Sequence, residues 1–96
     1  MSPTVATMLR RASASTGLPV SELLGAHRYA PLCRARFAVI MAARNRGICR
    51  LARSYPIIAK QLGNRHHTSI INGHERAREM MKDRSFRKLV GKVARP

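Results

Sequence analysis

Residues 54–71, which read SYPIIAKQLGNRHHTSII, decide the fold of this chain. Apolar residues recur at helical spacing on both sides of Gly63, at Ile58 and Leu62 before it and at Ile70 after it. A glycine can adopt the left-handed backbone that ends one helix and redirects the chain. The pattern therefore predicts a helix, a tight turn at Gly63, and a second helix whose first turn carries polar side chains.

Apolar residues at helical spacing also predict the segments around this pair of helices. These are residues 4–14, 20–24, 32–44 and a last helix that opens at residue 83 or 85 and ends at 93. In the central pair, Pro56 fits the first turn of a helix that ends at Leu62 or Gly63, and the second helix runs from about residue 66 to 81. We therefore expect an all-α, compact bundle of five or six helices, forming one domain over residues 1–96 with short flexible ends.

The charge of the chain indicates the kind of partner. Nineteen Lys and Arg residues stand against four Asp and Glu, which gives a formal net charge of +15. Such an excess repels itself in a folded protein, and a polyanionic partner explains it most simply. Solubility alone is the open alternative. Aromatic residues make up only 4% of the chain, which counts against an RNA module that stacks bases on a sheet.

Catalysis and metal binding find little support in the residue pattern. Glu75 and Glu79 lie one helical turn apart among arginines, which is typical of a charged surface rather than an acid/base pair. His66, His67 and His74 have irregular spacing for a metal site, and no carboxylate stands beside them. We therefore expect no enzymatic activity, no cofactor, no metal and no small-molecule substrate. No apolar run approaches a membrane span, so no membrane contact is expected either.

A wider comparison of motifs points to one family. Residues 54–77, SYPIIAKQLGNRHHTSIINGHERA, resemble the signature of the C-terminal DNA-binding domain of DnaA, the bacterial replication initiator. Residues 16–25 resemble the segment ahead of the basic loop of that domain, residues 27–44 its basic loop and long helix, and residues 83–93 its terminal helix. The chain has no GxxxxGK[ST] phosphate loop, so the resemblance is to a stand-alone helix-turn-helix domain without the ATPase.

The resemblance implies a function and a set of contacts with double-stranded DNA. In the family, the second helix of the motif reads the major groove and an arginine of the basic loop enters the minor groove. The implied base contacts are Arg28, Tyr55, Pro56, His66, His67 and Thr68. The implied phosphate contacts are Arg36, Arg44, Arg65, Ser69 and Arg76. Two of these roles have open alternatives: Arg28 as a solvated loop charge and Tyr55 as a core residue.

The sequence departs from the family pattern at three places. His66 stands where the family has aspartate, which changes the base or phosphate contact expected there. Asn72 and Gly73 replace a His-Ala pair, which alters helix packing. Residues 48–53, ICRLAR, resemble an insertion of about four residues ahead of the helix-turn-helix, given how short such connections usually are.

These observations together predict a sequence-specific DNA-binding protein, a small regulator of transcription or replication. We expect it in the cytoplasm at the nucleoid, able to bind as a monomer as the family domain can, with pairing through residues 86–93 left open. Two other classes remain open. One is an RNA- or ribosome-associated basic protein, and the other is an interaction module that acts on an initiator or a polymerase.

Overall fold

A computed structural model describes residues 4–44 and 54–95. Within these residues the chain forms six α-helices and no strand, so the prediction of an all-α bundle is confirmed. The helices are α1 (Val5–Thr16), α2 (Val20–Leu24), α3 (Ala30–Arg44), α4 (Tyr55–Gln61), α5 (His67–Met80) and α6 (Arg84–Val93). The apparent insertion at residues 48–53 lies outside the described residues.

Helix α3 is the centre of the bundle. It packs against α1, α2, α5 and α6, whereas α4 packs against α5 and α1. Alanines at 35, 38, 42 and 43 are all buried, which lets the surrounding helices approach the α3 backbone closely. On α6, the predicted apolar face is confirmed, because Phe86, Leu89, Val90 and Val93 are all buried.

The helix ends follow from local capping. The hydroxyl of Thr4 accepts a hydrogen bond of 3.1 Å from the N–H of Thr7 at the start of α1. Helix α1 runs two residues past its predicted end and stops at Gly17, which has a left-handed φ of +76°. Asp83 caps α6, since its Oδ1 accepts from the N–H of Ser85 at 3.2 Å. Helix α3 begins at Ala30, two residues before the predicted start.

The predicted turn at Gly63 is confirmed. Gly63 has φ +87° and Asn64 follows with φ +60°, so two left-handed residues redirect the chain after α4. The N–H of Arg65 returns to the carbonyl of Ala59 at 2.8 Å and closes the turn. The α carbon of Gly63 also faces the carbonyl oxygen of Leu24 at the end of α2, and a side chain there would collide with that oxygen. The turn of the motif is therefore packed directly on α2.

Gly73 brings α5 close to α3. It is buried, and a Cβ at this position would lie 2.9 Å from Cδ1 of Ile40 and 3.4 Å from the ring of Phe37. An internal glycine costs helix stability of about 1 kcal/mol relative to alanine. The close approach of the two helices explains why a glycine occupies this position.

Two glycine-to-alanine substitutions should have opposite effects on stability. Gly63→Ala should lower the free energy of unfolding by about 2 kcal/mol or more, because it adds left-handed strain and a clash with Leu24. Gly91→Ala, in an exposed part of α6 where a Cβ meets nothing within 4 Å, should raise it by about 0.5–1 kcal/mol. Urea unfolding of both variants measures the difference, and a Gly63→Ala variant as stable as the parent would contradict the described turn.

Candidate nucleic-acid interface

The first turn of α5 is exposed and polar. The helix begins at His67, within one residue of its predicted start; His66 is its N-cap, and His67, Thr68 and Ser69 are all exposed. The Nδ1 atom of His66 accepts a hydrogen bond of 3.2 Å from the N–H of Thr68. The rings of His66 and His67 stack with centroids 4.5 Å apart. His66 therefore caps α5 as an aspartate would at this position. The cap uses Nδ1 and does not use the other ring nitrogen, Nε2.

Asn72 extends this exposed polar surface by one turn. It lies four residues after Thr68, on the side of α5 opposite to the buried residues Ile70 and Ala77. From the sequence, Asn72 is expected only to change helix packing, although its spacing from Thr68 places both residues on one face. Glu75 and Glu79 continue this side of α5 toward its C-terminus, and Glu79 pairs with Lys82 at 3.1 Å. Only the first two turns of the face are therefore free of acidic groups.

A cavity of about 440 Å³ adjoins these turns, between the α2–α3 loop, α3 and α5. Its polar lining consists of Arg28, Arg36, Arg65, Ser69, Asn72 and Arg76, together with Cys33. Four of the five residues predicted as phosphate contacts thus meet around one space, beside the predicted minor-groove arginine. Among the described residues that line the cavity there is no Asp or Glu. Four guanidinium groups without a lining acid make this an electropositive recess.

The side chain of Arg36 is engaged within the protein. The side chain is only 5% exposed. Its Nε donates to the carbonyl of Leu23 at 2.8 Å, and its Nη2 donates to those of Glu22 at 2.8 Å and Gly25 at 3.0 Å. Its Nη1 donates to the carbonyl of His27. The guanidinium is therefore buried and bound to four backbone carbonyls, and the phosphate contact at Arg36 stays a prediction.

Arg65 shares two of these acceptors. Its Nη2 donates to the carbonyls of Leu23 and Gly25, and its Nε donates to the carbonyl of Leu62 at 2.8 Å. Partial burial and then the charges of Arg36 and Arg28 lower the pKa of Arg65 from its ordinary value. We call Arg36 and Arg65 the arginine clamp, since together they join the end of α2 to the turn of the motif. A phosphate contact by Arg65 stays a prediction.

The loop that the arginine clamp holds carries Arg28. Arg28 is exposed, and its carbonyl accepts a hydrogen bond of 3.2 Å from Sγ of Cys33. Tyr29 beside it is 49% exposed, with its hydroxyl 3.4 Å from a carboxylate oxygen of Glu22. No motif in the sequence marks Tyr29 as a site residue. Its position next to Arg28 adds an exposed aromatic ring to the candidate interface.

Tyr55 joins three helices. The guanidinium of Arg44 lies 4.1 Å from the centroid of the Tyr55 ring, and the Tyr55 hydroxyl shares a hydrogen bond of 2.9 Å with Nδ1 of His74. Tyr55 is half-buried against the core, whereas Pro56 beside it is exposed. Burial, followed by the charges of Arg44 and Arg78, lowers the pKa of His74, which favours the neutral ring that can accept from the Tyr55 hydroxyl.

This arrangement changes the expectation for two residues. Tyr55 is a partly buried packing residue whose hydroxyl and one ring contact are already engaged within the protein. Arg44 lies over that ring and is absent from the lining of the arginine-rich cavity. The DNA contacts predicted for Tyr55 and Arg44 would therefore be made beside the N-terminus of α4, and not in the cavity.

Comparison with known proteins adds no relative. No family model matches the chain, and no curated protein or solved structure does. The likeness to the DnaA domain therefore rests on the residues quoted from the sequence. In residues 4–44 and 54–95, no helix has the length and apolar character needed to cross a membrane. Within the same ranges, no three His, Cys, Asp or Glu side chains form a group suited to a metal ion.

Substitution of Arg36 should affect folding, and substitution of Arg76 should not. Arg36→Met removes four hydrogen bonds that tie α3 to the backbone at the end of α2 and should lower the free energy of unfolding by about 3 kcal/mol or more. Arg76→Met, at an exposed position on the same cavity, should change it by less than about 0.5 kcal/mol. Chemical denaturation of both variants provides the measurement. Equal, small changes would show that the Arg36 contacts do not hold the loop.

Proposed function

We propose that this chain binds double-stranded DNA in a sequence-specific manner and acts as a small regulator of transcription or replication through a DnaA-like helix-turn-helix. One observation carries the proposal: the exposed polar start of α5 adjoins a recess lined by four arginines. A helix N-terminus supplies base-reading side chains, and the surrounding cations supply sequence-independent affinity for phosphates.

The residues of α5 suit the chemistry of the major groove. Thr68 and Asn72 lie one turn apart on the exposed face, and His67 lies beside Thr68. An asparagine amide can pair with adenine through two hydrogen bonds, and a threonine offers both a hydroxyl and a methyl for thymine. The N-terminal end of the helix dipole also favours a phosphate nearby. We therefore assign base contacts to His67, Thr68 and Asn72.

Arg28 suits the neighbouring minor groove. It is exposed on the loop that the arginine clamp fixes, so little conformational freedom of the loop backbone remains to be lost on binding. A narrow minor groove has an enhanced negative potential that attracts a guanidinium. Arg65, Ser69 and Arg76 on the recess are the proposed phosphate contacts, and Arg44 and Pro56 extend the surface at α4.

Two residues take supporting roles in this proposal. His66 acts chiefly as the cap that fixes the first turn of α5, with Nε2 available to a base or a phosphate. Tyr55 acts through packing, because it holds α4 against α5 by its contact with His74. The proposed base contacts are therefore fewer than those that the resemblance implies. Asn72 is a proposed base contact that the resemblance does not include.

An RNA duplex differs from a DNA duplex in the shape of the groove that α5 would have to enter. The major groove of A-form RNA is deep and narrow and does not admit side chains from a helix. A protein that reads through the start of α5 should therefore prefer B-form DNA to an RNA duplex of the same sequence. A basic protein that recognises shape alone should show no such preference.

Substitution of Thr68 tests the proposed base reading. Random-duplex selection first supplies the preferred site. Thr68→Ala should then weaken binding to that site by about 1–3 kcal/mol, because a base contact in the major groove is lost, and should weaken binding to random duplex far less. Fluorescence anisotropy at fixed salt measures both affinities.

Ser15→Ala, a similar loss of one hydroxyl at an exposed position of α1, is the matched control and should leave both affinities unchanged. An RNA duplex of the selected sequence serves as competitor. Equal losses on selected and random DNA would remove Thr68 as a base reader. Equal competition by RNA would favour recognition of duplex shape over reading of the major groove.

A further inference from the structure

Helix α6 carries a second basic surface. Its buried face consists of Phe86, Leu89, Val90 and Val93. Its exposed face and the short segment after the helix carry five cations, namely Arg84, Arg87, Lys88, Lys92 and Arg95. Arg84, Lys88 and Lys92 recur every four residues, which is about 6 Å of helix rise, so they form a continuous row. We call these five residues together with Arg34 the α6 basic surface.

Arg34 extends this row onto α3. Its Nη2 donates to Oγ of Ser85 at 2.9 Å, and its guanidinium lies 5.8 Å from the centroid of the Phe86 ring. A cavity of about 610 Å³ lies between the two helices, lined by Arg34, Arg84, Lys88 and Lys92 among others. Cations from two helices thus converge on one space, as they would around a shared anion.

Helix stability does not explain the cations at the start of α6. Arg84 is the first residue of α6 and Arg87 lies in its first turn, where cations oppose the helix dipole and acids would be favoured. The first turn contains no acidic residue. Of the four acids in the chain, only Asp83 borders the α6 basic surface, and it caps the helix. The row therefore repels itself until an external polyanion neutralises it.

The α6 basic surface and α5 lie on different sides of α3. Phe37 and Ile40 meet Gly73 of α5, whereas Arg34 meets Ser85 of α6. At about 100° per residue, Arg34 lies roughly 60° from Phe37 and 120° from Ile40 around the α3 axis. The directions from the α3 axis toward α5 and toward α6 therefore differ by about 90°.

The two surfaces are also separated along the chain. Helix α5 has 14 residues, and α6 begins just beyond its C-terminus. At 1.5 Å per residue, α5 is about 21 Å long, so the end that α6 follows lies about 21 Å from its reading end. In a molecule whose extents are 30 × 27 × 24 Å, this distance spans most of the body. The α6 basic surface is therefore a separate contact area.

From these observations we infer that the α6 basic surface binds the phosphodiester backbone of a second duplex segment, so that one chain bridges two segments of DNA. The inference rests on the proposed function of the α5 surface. The cations of the α6 basic surface offer charge and hydrogen-bond donors to phosphate oxygens. The second contact is therefore independent of sequence, and it weakens steeply with salt.

A two-step capture experiment tests the inference. An immobilised duplex that contains the selected site binds the protein in the first step, and a labelled random duplex is added in the second. Wild-type protein should bind the first duplex and then retain the second. Arg84→Glu/Lys88→Glu should keep first-step affinity within about threefold and lose second-step capture by about tenfold or more, because two phosphate contacts are reversed in charge.

Two further variants complete the design. Lys88→Glu alone should lose part of the capture, whereas Arg10→Glu, the same charge change on α1, should lose none. Thermal unfolding should show that the double variant is folded, since acids at the start of α6 favour the helix dipole.

Each contrary outcome has a distinct meaning. If wild-type protein does not bind the first duplex, the proposed function fails and the bridging inference fails with it. If it binds the first duplex but captures no second one, the inference alone is overturned. Equal capture by the double variant also overturns it, since the bridge then uses another surface or a dimer. A bend of the first duplex that depends on Arg84 and Lys88, without capture, would assign this surface to one wrapped duplex and overturn bridging.

Discussion

The arrangement of the molecule depends on two guanidinium groups that share the same backbone carbonyls. Arg36 from the central helix and Arg65 from the turn of the motif both donate to the carbonyls of Leu23 and Gly25. The end of α2, the loop that follows it, α3 and the helix-turn-helix are thereby joined at one point. Gly63 belongs to the same junction, because only a residue without a side chain fits its approach to Leu24.

Burying the charge of Arg36 at this junction costs free energy, and the same junction positions the loop that carries Arg28. Arg36 is a buried cation, and among its described hydrogen-bond partners there is no carboxylate, so carbonyl dipoles alone offset its desolvation. The charges of Arg36 and Arg28 also act on Arg65 and lower its pKa. A carboxylate in this recess would offset these positive charges. In our proposal the missing negative charge comes from DNA phosphates, and the same contacts hold Arg28 in position for the minor groove.

The sequence was sufficient for the helices and insufficient for part of the site. Apolar spacing predicted the buried face of α6, and Gly63 marked the turn because left-handed geometry favours glycine. The burial of Arg36 could not be predicted, since an arginine among apolar residues has the same local pattern whether it meets water or carbonyls 13 residues away. The capping role of His66 was equally hidden, because it depends on a side-chain rotamer and not on spacing. Asn72 could have been found from its four-residue spacing to Thr68.

The central claim is that the start of α5 and the loop at Arg28 contact the same duplex. An NMR titration of ¹⁵N-labelled protein with the selected duplex tests it most directly. The account predicts that the largest shift changes occur at the amides of residues 66–72 and at the side-chain Nε of Arg28, while the amides of α1 change little. Changes centred on α1, or on α5 without Arg28, would contradict the account.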